Sequence, residues 1–133
     1  MGMYARLYSD LVDKVKTIID ERYIYPSNRP NVGKNDQTMK NFIVIDLPDN
    51  IVDIAAGKPR LMLITTGIIS VFVKAKSDNT LKVNETSDLI DEVLDLFPIS
   101  GEYCAAVNPV PLMRGSDGYG YQFTDIKFEI HTK

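Results

Sequence analysis

The chain has 133 residues, a formal net charge of −3, 44% hydrophobic and 25% charged residues, and a single cysteine. This length predicts one domain, residues 1–133, which can bury a core without a disulfide or a metal. The acidic balance and scattered basic residues disfavour nucleic-acid recognition, which usually shows a basic patch. Because no apolar run reaches about 20 residues and no charged-then-apolar signal opens the sequence, we expect neither a membrane span nor secretion.

The N-terminal part predicts an amphipathic helix followed by a long loop. Over residues 4–22, apolar side chains recur every three or four positions and charged side chains lie opposite, so one face should pack on a sheet. Residues 23–41 are rich in turn formers such as Pro26, Pro30 and Gly33. We interpret them as a surface loop that becomes ordered in an assembly, because loops of this length are usually functional or disordered.

Three strands are predicted next, at residues 42–47, 51–56 and 61–77. The third is rich in Ile, Val and Thr and alternates from Ile68 onward. At about 3.3 Å per residue it would span roughly 50 Å, so it forms either the spine of a sheet or an arm. Gly67 is the place where we expect a bend or a bulge.

The remaining sequence predicts a helix and two strands. The helix covers residues 84–97, with Asn84 or Thr86 as its cap and Pro98 at its end. The strands cover 103–114 and 119–132, and Pro109 and Pro111 imply that the first lies at an edge or is interrupted.

This order of elements indicates the fold class. Helix, loop, three strands, helix and two strands predict an α+β domain. Its sheet is antiparallel or mixed, twisted and about five strands wide, and two helices pack on one face.

Few residues have the pattern of a chemical site. Gly33 and Lys34 lack the remaining positions of a phosphate-binding loop, and the glycines at 115, 118 and 120 join two strands and precede no helix. His131 is the only histidine, and Cys104 the only cysteine, so together they cannot form the usual structural zinc site. We expect no catalytic residue, no metal site and no cofactor.

One charged pattern is regular. Four carboxylates of the second predicted helix fall at i, i+3, i+4 and i+7 and form an acidic stripe, namely Asp88, Asp91, Glu92 and Asp95. A solvated helix face is the commonest meaning of such a stripe. A contact with a basic surface of a neighbouring subunit and a divalent-cation site are the alternatives.

The element order resembles that of the tail-terminator, or tail-completion, proteins of long-tailed bacteriophages. The stretches that carry the resemblance are YARLYSDLVDKVKTIIDERY, FIVIDLP, ISVFVKAKS, NETSDLIDEVLDLF and YGYQFTDIKFEIHT, and together they cover most of the chain. The likeness lies in the order of the elements and in their residue patterns, and it includes no invariant motif.

The resemblance implies a structural role in virion assembly. Such proteins form a ring, commonly hexameric, which ends tail-tube polymerisation and joins the tail to the head. The implied partners are therefore other copies of the chain, the tail-tube protein and a head-completion protein, in the host cytoplasm and then in the virion. A ring needs two unlike patches per subunit. The candidates are the acidic stripe and two lysines at the end of the long strand, Lys74 and Lys76, while loops 28–40 and 115–120 would face the tube or head.

Two other functions fit the same sequence. A small ligand- or protein-binding α+β domain would show a pocket under the two helices, lined by Tyr and Phe. A small enzyme that uses the acidic helix with a metal would bind a divalent cation tightly.

Overall fold

The computed structural model describes residues 2–26, 40–48, 64–78 and 80–132. Within these residues the fold is α+β, as the sequence predicts, with two α-helices and a mixed sheet of six strands. The helices are α1 (Met3–Val15) and α2 (Val83–Asp95). The strands are β1 (Ile24–Pro26), β2 (Phe42–Asp46), β3 (Ile64–Lys74), β4 (Ile99–Ser100), β5 (Cys104–Ser116) and β6 (Tyr121–Thr132).

The sheet has the order β1-β2-β3-β6-β5-β4. β1 runs parallel to β2, and all other neighbours are antiparallel. Every residue of β3 pairs with β6 without a shift of register, from Ile64 opposite His131 to Lys74 opposite Tyr121. Of the two alternatives for the long strand, the structure shows the spine of the sheet for Ile64–Lys74. The first three residues of the predicted strand lie outside the described part of the chain.

Both helices pack on one face of the sheet, as predicted. Ile69, Val71 and Val73 of β3 face this side and are almost fully buried. They share one core with the apolar stripes of both helices, which contribute Leu7, Leu11, Val15, Ile90 and Val93. Each large side chain buried in this way contributes about 1.5–3 kcal/mol to the free energy of unfolding.

The opposite face of the sheet carries a second, aromatic cluster. Phe42 stacks on Phe72 with ring centroids 4.5 Å apart, and Tyr121 meets Phe42 edge-on at 5.0 Å. The Tyr121 hydroxyl also donates a hydrogen bond to the Lys40 carbonyl oxygen at 3.2 Å. Because β2 is buried on both faces, its sequence is continuously apolar from Phe42 to Ile45 instead of alternating.

The first helix is shorter than predicted. It ends at Val15, and turns lead to a 3₁₀ helix at Glu21–Tyr23. Asp20 caps this short helix, because its side chain accepts a hydrogen bond from the Arg22 backbone N–H. β1 then falls inside the segment that we interpreted as a loop. Residues 27–39, which include Gly33 and Lys34, and the predicted strand at 51–56 lie outside the described residues.

The second helix has a different cap from the one predicted. It begins at Val83, and the residue at its N-cap is Lys82, whose side chain makes no capping hydrogen bond. Asn84 and Thr86 therefore lie within the helix, and Thr86 is buried. The predicted cap was wrong because Thr86 is buried on the same side of the helix as Ile90 and Val93, so the helix already includes it.

The prolines of β5 interrupt its pairing, as predicted. The register with β6 shifts between Val107 and Val110 and again between Pro111 and Met113. At the first shift Asn108 adopts a φ of 55°, and its Nδ2 donates a hydrogen bond to Glu129 Oε2 at 2.9 Å. β4 pairs with Ala105 and Ala106, and no described strand covers β5 beyond them. β5 is thus both interrupted and, over most of its length, an edge strand.

The expected bend or bulge at Gly67 is wrong. Gly67 pairs with Phe128 inside the regular β3–β6 ladder. A Cβ atom at Gly67 would lie 2.6 Å from Phe128 Cζ and 3.2 Å from Leu47 Cδ2. The glycine is needed because the Phe128 ring, which is fully buried, occupies the space above it.

We predict that Gly67→Ala destabilises the fold by about 1–3 kcal/mol, because the new methyl group overpacks a buried ring. Urea unfolding measures the change in the free energy of unfolding. Gly2→Ala is the control, since a Cβ there has no heavy atom within 4 Å. Combining Gly67→Ala with Phe128→Leu should cost less than the sum of the two single changes. Strict additivity would contradict this account of Gly67.

Glu129 makes the stability of the β5–β6 hairpin depend on pH. Hydrogen bonds from Asn108 and then from His131 hold the pKa of the Glu129 carboxyl below its ordinary value. A carboxyl with a lowered folded-state pKa stabilises the fold above its unfolded-state pKa, and this contribution is lost as the pH falls through the folded-state pKa. We therefore expect part of the acid-induced loss of stability to disappear in Glu129→Gln, measured by urea unfolding from pH 7 down to the acid transition. Parallel pH profiles for the two proteins would contradict this.

Candidate functional site

A groove of about 810 Å³ lies where the segment after α1 and the start of α2 meet the ends of β2 and β3. Two of its walls are helical turns, which bring side chains from distant parts of the sequence together. The charged residues among those that line it are Asp20, Arg22, Lys40, Lys74, Lys82 and Glu85. This groove, with six charged residues in its wall, is our candidate site.

Asn41 connects the two sides of the groove. Its Nδ2 donates a hydrogen bond to Glu85 Oε1 at 2.5 Å, and its Oδ1 accepts one from the Lys74 backbone N–H at 2.9 Å. One side chain thus links the first turns of α2 to the end of β3. The sequence analysis gave Asn41 no such role, because an asparagine before a strand is also typical of a turn.

The groove carries more positive than negative charge. Arg22 Nε lies 3.3 Å from Asp20 Oδ2, and Lys82 Nζ lies 3.8 Å from Glu85 Oε2. The ammonium groups of Lys40 and Lys74 form no ion pair with any described residue. Four cations therefore face two carboxylates, and a concave surface of one net sign attracts groups of the other sign.

The start of α2 adds to this positive potential. Lys82 and Glu85, from the first turns of the helix, line the groove. The unpaired amides at a helix N-terminus carry a partial positive charge of roughly half an elementary charge, which attracts anions. Since the N-cap side chain makes no hydrogen bond to these amides, their charge is not satisfied by a capping group.

The acidic stripe lies on the side of α2 that points away from the core. Asp88, Asp91, Glu92 and Asp95 are all exposed. Asp88 and Asp95 each lie three or four residues from both Asp91 and Glu92, and like charges at that spacing destabilise a helix by about 0.2–0.5 kcal/mol per pair. Asp95 also stands at the C-terminal end of the helix, where negative charge is unfavourable. The stripe therefore costs the isolated chain stability.

The structure separates the two lysines that the sequence analysis grouped. Lys74 lines the groove, whereas Lys76 lies in an exposed turn, and its backbone N–H donates to the Thr80 carbonyl oxygen at 3.0 Å. In the same turn, the Thr80 hydroxyl and backbone N–H donate to Asp78, which lowers the pKa of that carboxyl. The turn explains why β3 stops at Lys74 and does not continue to residue 77.

A second surface, along the edge strand β5, is apolar. Four large hydrophobic side chains are about half exposed or more, namely Val110 (52%), Leu112 (61%), Met113 (58%) and Tyr119 (49%). The register shifts turn successive side chains of β5 outward, so they do not alternate between a buried and a solvated face. We name this set the apolar edge. No alternation of apolar and polar residues in the sequence indicates this surface, because the prolines of β5 interrupt the strand pattern.

The residues tested for chemistry remain without a site. Cys104 is buried, and His131 Nε2 contacts Glu129 Oε1 at 3.1 Å. No three metal-binding side chains come together among the described residues, and none of the described helices is long and apolar enough to cross a membrane.

Gly118 and Gly120 have positive φ angles in the β5–β6 hairpin turn, where a left-handed backbone favours glycine.

The aromatic pocket expected for a small ligand-binding domain does not coincide with the groove. Among the described residues that line the groove, Tyr23 is the one tyrosine, and there is no phenylalanine. The aromatic cluster around Phe42 and Phe72 lies on the face of the sheet opposite the helices and is closely packed.

Comparison with solved structures finds the same fold over nearly the whole chain. One solved structure matches with a TM-score of 0.58 and 11% identity over 98% of this chain and 92% of that chain. A chain in the virion of a native gene transfer agent particle matches with a TM-score of 0.51 and 16% identity over 98% of this chain and 91% of that chain. At these identities the likeness shows a shared fold. Neither a family model nor a curated protein matches the chain.

We predict that Asp91→Asn with Asp95→Asn raises the free energy of unfolding by about 1 kcal/mol at low salt, because it removes like-charge pairs and a charge at the helix C-terminus. The gain should shrink at high salt. Glu85→Gln is the matched control and should lower stability, because it removes a negative charge that pairs with Lys82 and lies at the helix N-terminus. Urea unfolding at two salt concentrations checks both, and a loss of stability in the double variant would contradict the account of the stripe.

Proposed function

We propose that this chain is a structural protein of a phage-like virion, a tail terminator that ends the tail tube and joins the tail to the head. The observation that carries the proposal is the likeness of fold, over nearly the entire chain, to a component of a gene transfer agent virion. The order of elements along the sequence, which resembles tail terminators, supports the same role. The role is structural and requires neither catalysis nor a cofactor.

A ring of identical subunits explains the charged surfaces. In a head-to-tail ring, each subunit presents two unlike surfaces, and the contact between them closes by rotation. The acidic stripe and the basic groove are such a pair. Assembly in the host cytoplasm and incorporation into the virion follow from this role.

The apolar edge is suited to the proteins above or below the ring. An exposed apolar surface of this kind marks a contact in many soluble proteins. Val110, Leu112 and Met113 of the apolar edge lie in β5, and Tyr119 lies in the hairpin turn at residues 117–120 that follows it. We assign this surface to the tail-tube or head-completion protein. The other loop predicted to face these partners falls mainly outside the described residues.

The proposal predicts the phenotype of a deletion. In a strain that produces the particle, loss of the gene should give tails of uneven length and heads without tails, because nothing stops tube polymerisation. Electron microscopy of lysates measures both. A plasmid copy of the gene is the control and should restore uniform tails.

Two results would contradict the proposal. One is a deletion strain with joined particles and tails of normal length. The other is a chain that electron microscopy with a labelled copy finds in the capsid shell or along the tube and not at the junction of head and tail.

A further inference from the structure

The basic groove has the charge to bind an anionic surface. Lys40 and Lys74 have no anionic partner in the described part of the chain. Arg22 and Lys82, which line the same groove, are each paired with a carboxylate. The start of α2 adds positive potential at the same place. These cations come from four separate parts of the chain, so the arrangement depends on the fold and is not a run of surface lysines.

The acidic stripe is the complementary surface. Its four carboxylates repel one another and make no described ion pair, so cations from outside the chain would stabilise them. From Asp88 to Asp95 the stripe is about 10 Å long, at 1.5 Å per residue of helix. Such a short, dense line of carboxylates can fit against a groove with a few unpaired ammonium groups.

We propose that the groove of one subunit receives the α2 acidic stripe of a second copy of the chain, with Lys40 and Lys74 as the central contacts. The inference rests on the proposed ring and identifies the contact that closes it. Lys76 lies outside this contact. The remaining cations, Arg22 and Lys82, stay paired with Asp20 and Glu85 and form the rest of the groove's basic wall.

The two surfaces lie on different sides of α2. With about 3.6 residues per turn, the stripe and the groove-lining residues Lys82, Glu85 and Leu89 point in directions roughly 100° apart around the helix. Because the surfaces are unlike, a contact between them can repeat head to tail, and it forms a ring when the rotation between subunits closes.

A charge-swap experiment tests the contact. Lys40→Glu with Lys74→Glu is the groove variant, and Asp91→Lys with Asp95→Lys is the stripe variant. Each variant alone should self-associate roughly tenfold more weakly than the unmodified chain or worse, because like charges then meet. An equimolar mixture should recover association, because the stripe variant's basic helix fits the groove variant's acidic groove. Sedimentation equilibrium at low salt, up to millimolar protein, measures all of these.

Two further variants control for other effects. Lys14→Glu with Lys127→Glu changes the net charge by the same amount as the groove variant, at exposed positions that do not line the groove. This control should associate like the unmodified chain. Lys40→Gln with Lys74→Gln removes the charges without reversing them and should have an intermediate effect. Circular dichroism confirms that each variant is folded.

Three results would overturn the contact. They are an unmodified chain that stays monomeric over the whole concentration range, a mixture that associates no better than its components, and a groove variant that associates normally. Binding of inorganic phosphate in the groove without any change in self-association would also count against it and would identify a small-anion site. If the charge swap works but the deletion strain has normal tails, the contact stands and the terminator role fails.

Discussion

The continuous pairing of β3 with β6 is the constraint on which the rest of the structure depends. It places Gly67 under the Phe128 ring, carries both the helix-side core and the aromatic cluster, and aligns Lys74 with Tyr121. Because side chains of β3 and β6 alternate between the helix-side core and the opposite face of the sheet, a slip of one residue would exchange the two sets of side chains. The fixed register therefore determines where β3 ends, and that end forms one wall of the groove.

The helices give this sheet one charged side. α2 uses its buried stripe to pack on the sheet, its first turns to line the groove and its outer face to present four carboxylates. A surface that lowers the stability of the isolated chain is explained most simply by a contact that compensates for it. The same helix thus links packing within one subunit to the proposed assembly of several subunits, while the apolar edge on β5 remains available to a different protein.

The sequence predicted the elements that have a clear period and missed the features that depend on distant residues. The helix around Ile90 and Val93 and the strand around Ile126 and Phe128 follow from local patterns. β1, by contrast, has three residues and exists because it pairs with β2. The space at Gly67 is set by a ring from another strand, which no local pattern reveals. Of the groove's cations, the sequence indicated Lys74, while Arg22 and Lys40 lie far from it along the chain and are brought close by the fold.

The central claim is that unlike surfaces, on two sides of one helix, join identical subunits in a ring. The most direct test is a cryo-electron microscopy structure of the ring assembled on its tail tube. The account predicts that carboxylate oxygens of Asp91 and Asp95 lie within about 4 Å of the ammonium groups of Lys40 and Lys74 of the neighbouring subunit. A ring in which the outer face of α2 is exposed to solvent, or in which subunits meet through the edge of β5, would contradict it.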